Sequence, residues 1–396
     1  MKDAAPSAPA GTGAPGLPLP AIVAGFLAVL VSFSGPLAIF YQAAQAAKVD
    51  AATFASWVWG ISIGAGVAGI WLSLRFRVPV ITAWSAPGTA LLITLFPALS
   101  VQEAIGAYLT AAAILLVLGI TRSFDRIMAH VPQGVAAGMM AGILLPFGLA
   151  AFRSIGTMPL VSGGMVVAFL LCRRAWPRYT VVAVLLAGVA LAMAGGHTHF
   201  GAVTFELATP RAVMPAWSWS GTFGLALPLV LVTLTGQYLP GMALLRTSGY
   251  ALPVRPVMTV NSIVSLGVAA AGGITIAIAA ITAAMCTGRD AHEDPGKRYI
   301  AGVANGVFYL LAGLCAGSIV ALFGALPKEL VATVAGLALL GPIAANLGAM
   351  VAAPDREAAI ITFAATASGM AFLGLGAAFW GIAIGMAAHL VFSCKR

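Results

Sequence analysis

Residues 79–92 read PVITAWSAPGTALL and lie inside a long apolar stretch. The pair Pro87-Gly88 interrupts the hydrogen-bond ladder of a helix, whereas the preceding VITAW, β-branched and aromatic, favours extended backbone. In lipid the freed backbone groups must find partners inside the protein, because no water is present to serve them. The stretch is therefore either a kinked membrane helix or a strand that meets a half-helix near the centre of a bilayer. That choice decides the fold.

The rest of the composition settles the solvent. The chain has 396 residues, of which 61% are hydrophobic and 8% charged, and its mean hydropathy is +1.02. This is a polytopic membrane protein, with room for about a dozen or more crossings at roughly 20 residues each. Residues 1–19 are rich in Pro, Gly and Ala and read as a disordered cytoplasmic tail. They lack the apolar core and cleavage site of a signal peptide. Cys172, Cys286, Cys315 and Cys394 sit in or beside apolar segments without metal-ligand spacing, so packing is their reading.

Fourteen segments emerge, near 20–47, 52–73, 79–97, 103–121, 132–151, 158–172 and 179–196, then 221–245, 256–271, 273–287, 299–325, 327–349, 357–373 and 375–393. A polar connection, 197–220, divides them and is expected on the periplasmic side. With both termini cytoplasmic, sixteen of the twenty Lys and Arg residues fall inside, and only Lys48, Arg153, Arg211 and Lys328 fall outside. This bias fixes the orientation and explains the net charge of +9 without nucleic acid, for which no aromatic-basic platform exists. Gly134, Gly138 and Gly142, like Gly60 and Gly64, line faces suited to close helix packing.

The halves 20–196 and 221–394 resemble one another. VPQGVAAGMMAGILLP (131–146) aligns with LPKELVATVAGLALLG (326–341), and ITAWSAPGTALL (81–92) with IAIAAITAAMCT (276–287), both at an offset of 195. SFSG (32–35) matches TLTG (233–236) at 201. Seven segments per half is odd, so the halves have opposite topology, an arrangement of transporters whose site lies at discontinuous segments near the midplane. The fold class is thus an all-α polytopic membrane protein with a 7+7 inverted repeat. Segments 3 and 10 are each part strand and part helix.

If the two half-helices start face to face, their unpaired N–H groups and positive dipole ends attract an anion without any charged side chain. Ser85 can cap the first half-helix or donate to a ligand, Ala86 and Gly88 expose backbone, and Thr89 lies one turn inside. Ala280, Ile281 and Thr282 are the counterparts. The local alternative is a kink whose hydroxyls bond their own helix, but two such breaks in corresponding positions favour the paired half-helices. In segment 8, Gln237 is an amide at midmembrane depth, read equally as a ligand donor or an interhelical bond, and Gln42 has the same two readings. Ser34, in the SFSG repeat, is a further candidate contact. Tyr238, Phe33, Tyr41 and Trp84 can wall an aromatic group or simply pack. Every Asp and Glu maps to a loop, a segment end or the tail, so no carboxylate reaches the midplane. That absence favours an anionic substrate. The histidines lie near the cytoplasmic side (His130, His389) or in the outer connection (His197, His199). In TGRDAHEDPGKRY (287–299) the adjacent His292, Glu293 and Asp294 have no metal-site spacing and read as a solvated loop that orients segment 11.

The stretch AAITAAMCTGRDAHEDPGKRY (279–299) resembles the hallmark of the BenE benzoate transporters, and QYLPGMALL (237–245) resembles their eighth segment; the similarity spans roughly 20–394. The resemblance implies a benzoate:proton symporter of the bacterial inner membrane. It also implies a fold shared distantly with uracil/xanthine and sulfate permeases, in which segments 1–4 and 8–11 form a core and 5–7 and 12–14 a gate. Uracil-type permeases carry acidic residues in segments 8 and 10, where this chain has Gln237 and Ala280, which argues against a nucleobase. The expectation is a secondary transporter that imports benzoate or a related aromatic carboxylate with a coupling proton. A nucleobase or inorganic-anion permease of the same fold is the alternative, ahead of a channel, for which the sequence shows no continuous polar pathway, or a membrane enzyme. No nucleotide loop, metal motif or nucleophile-base constellation points to an enzyme, and no cofactor is expected. The bilayer is the other partner, and a homodimer is an admissible assembly.

Overall fold

A computed structural model describes residues 18–96, 98–124, 126, 131–198, 200 and 205–393. Most of the N-terminal tail (1–17), Asp125, His130, His199 and Cys394 lie outside the described residues. The first half contains α1 (Leu19–Ser34), α2 (Pro36–Ala46), α3 (Ala51–Phe76), β1 (Thr82–Trp84), α4 (Ala86–Leu95), α5 (Val101–Ile120), α6 (Gln133–Thr157), α7 (Pro159–Ala175) and α8 (Thr180–Ala194). The second contains α9 (Ser220–Thr247), α10 (Val254–Ala269), β2 (Ile276–Ile278), α11 (Ala280–Thr287), α12 (Tyr299–Leu314), α13 (Ala316–Gly324), α14 (Lys328–Ala352), α15 (Arg356–Ala367) and α16 (Ala377–Ser393). Among the described residues six helices are long and apolar enough to cross a bilayer, or seven if α12 and α13, bent by 70°, form one span. The protein is a multi-pass membrane protein.

The stretch 79–92 resolves as strand plus half-helix. β1 pairs with β2 antiparallel, Thr82 opposite Ile278 and Trp84 opposite Ile276. The ladder continues through Ser85 N–H to Thr275 O (3.0 Å) and Ala279 N–H to Ile81 O (2.9 Å). Extended backbone thus exists at depth only where each strand supplies the other's partners. Neighbouring helices tie onto the ladder: the Thr82 hydroxyl donates to Ala65 O of α3 at 2.6 Å, and the Ile276 N–H donates to Ser265 Oγ of α10 at 2.9 Å.

Equivalent elements run in opposite directions, as an inverted repeat requires. Residues 205–219 lace across one face of the molecule: Ala208 N–H bonds Leu314 O, Val213 N–H bonds Ala270 O, Ala216 N–H bonds Gln102 O, and Arg211 N–H bonds Ser56 Oγ. The N-terminal ends of α3 and α5 therefore share a face with the C-terminal ends of α10 and α12. Packing follows the same symmetry, with α3 against α12 mirrored by α10 against α5, and α7 against α8 mirrored by α15 against α16. α6 and α14, each 25 residues with an internal proline (Pro146, Pro342), pack on one another.

The half-helix register is one residue away from the sequence alignment. Thr82 corresponds to Ile276 and Ala86 to Ala280, an offset of 194 rather than 195. The small apolar residues of IAIAAITAAM slide past one another in sequence, and hydrogen-bond pairing fixes what composition leaves loose. Segment 1 is also interrupted, by Gly35 between α1 and α2. Its counterpart in α9 is a π-helical turn, Leu234–Tyr238, so SFSG and TLTG both mark a helix irregularity. The glycine faces do pack closely. A Cβ on Gly138 would run into Ala359 O, and one on Gly60 would lie 3.1 Å from Gly273.

Gly272 turns the chain into β2 with φ +85, and a Cβ there would collide with the Trp57 indole. Gly272→Ala is expected to destabilise the protein by roughly 2–4 kcal/mol, combining left-handed strain with overpacking. Thermal unfolding of the purified protein in detergent measures this, and an unchanged midpoint would count against the turn geometry.

Candidate functional site

The two half-helices begin where the strands end. Ser85 is the N-cap of α4, and its Oγ accepts from Gly88 N–H at 3.2 Å. At the corrected register its counterpart is Ala279, the N-cap of α11, which has no side-chain oxygen and leaves that helix uncapped. The first turn of any helix has donors without intrahelical partners, so α11 presents the less satisfied of the two N-termini. Thr282, at the position equivalent to Gly88, is 5% exposed, and its hydroxyl has no hydrogen-bond partner. The hydroxyl of Thr275, beside the ladder, is equally unpartnered.

The other sequence candidates divide. Thr89 Oγ1 donates to Ala86 O (2.7 Å) and Ser34 Oγ to Val31 O (3.0 Å), so both bond their own helices. Gly88 is walled by Leu229: a Cβ there would meet the Leu229 side chain, which makes the glycine a packing requirement of α9 against α4. Gln237 lies half-buried in the π-helical turn, whose widened backbone is a frequent feature of functional sites. The same turn approaches Pro87, since a Cβ on Gly236 would lie 3.7 Å from that ring. Tyr238 is fully buried and faces Asn261, although neither side chain completes a hydrogen bond. Gln42 and Tyr41 line a separate cavity with residues of α6 and α14.

Three residues that sequence reading passed over belong to this neighbourhood. The Thr233 hydroxyl donates to Ser85 Oγ at 3.4 Å. Tyr309 joins Phe33 and Trp84 in an aromatic trio, with ring centroids 5.8 Å apart for Phe33–Trp84, 5.9 Å for Phe33–Tyr309 and 6.2 Å for Trp84–Tyr309. The Trp84 indole N–H and the Tyr309 hydroxyl are both buried without partners. Asn261, fully buried with its amide unpaired, is the third. A Tyr and an Asn inside amphipathic helices give no signal of their own, and only proximity to the crossing singles them out.

Electrostatically the crossing is neutral. Among the described residues the only charged side chain that is buried is Arg298, and it sits at the far end of α11. Its Nε donates to His292 O (2.7 Å), Nη1 to Thr287 O (2.9 Å) and Nη2 to Glu293 O (3.4 Å). The expected solvated loop 287–299 is therefore folded around a guanidinium that closes the C-terminus of α11, where a cation opposes the helix dipole. Among the described residues no group of His, Cys, Asp and Glu is arranged to hold a metal ion. Chemically, the arrangement offers an anion backbone N–H groups and hydroxyls, and offers an apolar ring three aromatic faces.

Comparison with known proteins gives one family. The model of the BenE family, described as benzoate membrane transport protein, matches residues 16–391. A protein of Acinetobacter baylyi named benzoate membrane transport protein is 56% identical over 374 residues, covering 94% of this chain and 95% of that one. The inner membrane protein YdcO of Escherichia coli is 39% identical over 376 residues, covering 95% and 96%. Among solved structures, SLC26A9 superposes with a TM-score of 0.64 at 14% identity, over 94% of this chain and 66% of that one. The transmembrane domain of the cyanobacterial bicarbonate transporter BicA gives 0.60 at 15%, over 94% and 96%. At such identities these two report the fold alone, a 7+7 inverted repeat.

Two substitutions test how the half-helices are held. Ser85→Ala removes an N-cap and is expected to cost about 1 kcal/mol, with Ser85→Gly costing only a few tenths. Arg298→Gln abandons carbonyls at the end of α11 and should cost at least ~2 kcal/mol, and Arg298→Lys should not rescue it because an ammonium lacks the planar fork. Thermal unfolding in detergent reads both, and full rescue by lysine would contradict the bridging role.

Proposed function

The chain belongs to the BenE family of benzoate membrane transport proteins, and on that premise we propose that it imports benzoate, or a closely related aromatic carboxylate, across the bacterial inner membrane by proton symport. The observation that carries the reading is the pairing of β1 with β2, which brings two half-helix N-termini together in a place without a buried charge. A carboxylate is what such a place lacks. In this proposal it meets the first-turn N–H groups of α11 at Ala280–Thr282 and the Thr282 hydroxyl, opposite the Ser85–Thr89 turn of α4. Gln237 approaches from the π turn, and the ring lies against Phe33, Trp84 and Tyr309. Burial of the ring contributes affinity, and the fixed donors select the anionic end.

The chain makes fourteen crossings in this proposal, with repeats at 20–196 and 221–394 joined by a periplasmic connection at 197–220, and with both termini cytoplasmic. Segments 1–4 and 8–11 carry the site and move against the gate formed by 5–7 and 12–14, exposing the crossing to each side in turn. The names of the relatives, a benzoate membrane transport protein and an inner membrane protein, support the substrate and the location.

Uptake of labelled benzoate, uracil and sulfate into proteoliposomes, with and without an inward proton gradient, tests the reading. Gradient-stimulated benzoate uptake is expected. Robust uracil or sulfate uptake with none of benzoate would overturn it. Thr282→Val should raise the KM for benzoate roughly 10-fold, the loss of one hydrogen bond to a charged group. Thr89→Val, whose hydroxyl serves its own helix, should leave KM within about twofold by the same scale. Equal effects of the two would remove Thr282 from the site.

A further inference from the structure

A cavity of about 610 Å³ opens between α2 and α4 on one side and α6 and α14 on the other. Its size falls in the range of small-molecule sites, roughly 300–1,000 Å³. Tyr41 and Gln42 enter it from α2, Ile93 from α4, Arg153 from α6, and Lys328 and Glu329 from the first turn of α14. Arg153 and Lys328 are exposed, and among the described residues neither makes a hydrogen bond or ion pair, although Glu329 lines the same wall.

The contrast with Arg211 on the same proposed face is informative. Arg211 pairs with Asp50 at 3.0 Å. The Thr53 hydroxyl and backbone N–H, and then Arg211, hold the Asp50 carboxyl below the usual carboxylate range, so that pair stays neutralised. The cations at the cavity have no such partner. Two further features make the wall electropositive or donor-rich. α14 has no side-chain N-cap, so its first-turn N–H groups and dipole end border the cavity. The Gln42 amide nitrogen is buried, has no partner, and belongs to a residue that lines the space.

We infer that this cavity is a vestibule site for an aromatic carboxylate, which docks there between Arg153 and Lys328 before it reaches the strand crossing. The inference rests on the carboxylate-transport reading and adds a place where the substrate waits. The ring lies against Tyr41 and Ile93, and Gln42 donates toward the inner path. Ile93 stands on the same half-helix as Ala86, two turns and roughly 10 Å along its axis. One short helix therefore spans the distance from vestibule to crossing. Lys48, Arg153, Arg211 and Lys328 are the cations of the proposed periplasmic face, so the vestibule opens toward the side from which substrate arrives.

The test is uptake of labelled benzoate through outward-facing protein in proteoliposomes at low and high ionic strength. In R153Q/K328Q, KM is expected to rise roughly 3- to 10-fold at low salt with maximal rate retained, and to lose most of its salt dependence, as expected when charge-steered capture is removed. R153K/K328R should restore the parent values, because charge and not fork geometry attracts the anion here. An unchanged KM and salt dependence in R153Q/K328Q would overturn the vestibule, as would failure of R153K/K328R to restore them. Equilibrium binding of labelled benzoate to the full-length protein in detergent supplies a readout without transport. The parent should show a weak, salt-sensitive class of sites that R153Q/K328Q lacks. That class persisting in a parent chain that takes up no benzoate would fault the transport reading alone, and its equal presence in both chains would fault the vestibule alone.

Discussion

Six residues of extended backbone, Thr82–Trp84 against Ile276–Ile278, set the terms for the whole molecule. A strand at membrane depth is tolerable only when its N–H and C=O groups are paired, and these two strands pair with one another. The two halves of the chain are thereby locked together at their centres. Everything adjacent serves that contact: Gly272 makes the turn, Gly60 and Gly64 let α3 approach, and Thr82 and Ser265 bond the neighbouring backbone groups.

The crossing also determines where charge is absent. Two half-helices ending against paired strands present partial positive charge from backbone alone, and this is worth most where no solvent screens it. A buried carboxylate at the same point would compete for those donors. Among the described residues the one buried cation, Arg298, lies instead at the opposite end of α11, where it satisfies carbonyls rather than a ligand. Under the proposed function, selectivity for an anion would follow from which end of each half-helix faces the crossing, and helix ends fixed by a strand pair would need little ordering to bind.

Much of this was legible in the residues. Pro87-Gly88 after a β-branched run, with a second break in the other half, identified the discontinuous segments. Legibility failed where the signal was a contact rather than a pattern. The alignment of 81–92 with 276–287 missed the true register by one residue because Ala, Ile and Thr substitute freely there, and so it hid Ala279 as the counterpart of Ser85. Tyr309 and Asn261 lie on helices whose apolar periodicity gives them no distinction, and Thr233 stood out only as part of the TLTG repeat, not as a partner of Ser85. Gln42 carried the right chemistry but, with Tyr41, faces a cavity between α2, α6 and α14.

The sequence by itself determined the solvent, the approximate apolar segments and the opposed halves. Those properties depend on hydropathy and repeat spacing, which are local or additive. Only the tertiary structure decided which half-helix is capped, which hydroxyls are already bonded, and which aromatic rings meet. Each of these depends on a hydrogen bond or ring contact between residues far apart in the chain, as between Thr233 and Ser85 or Tyr309 and Trp84. A pattern along one segment carries no information about the distance to another until strand pairing fixes it.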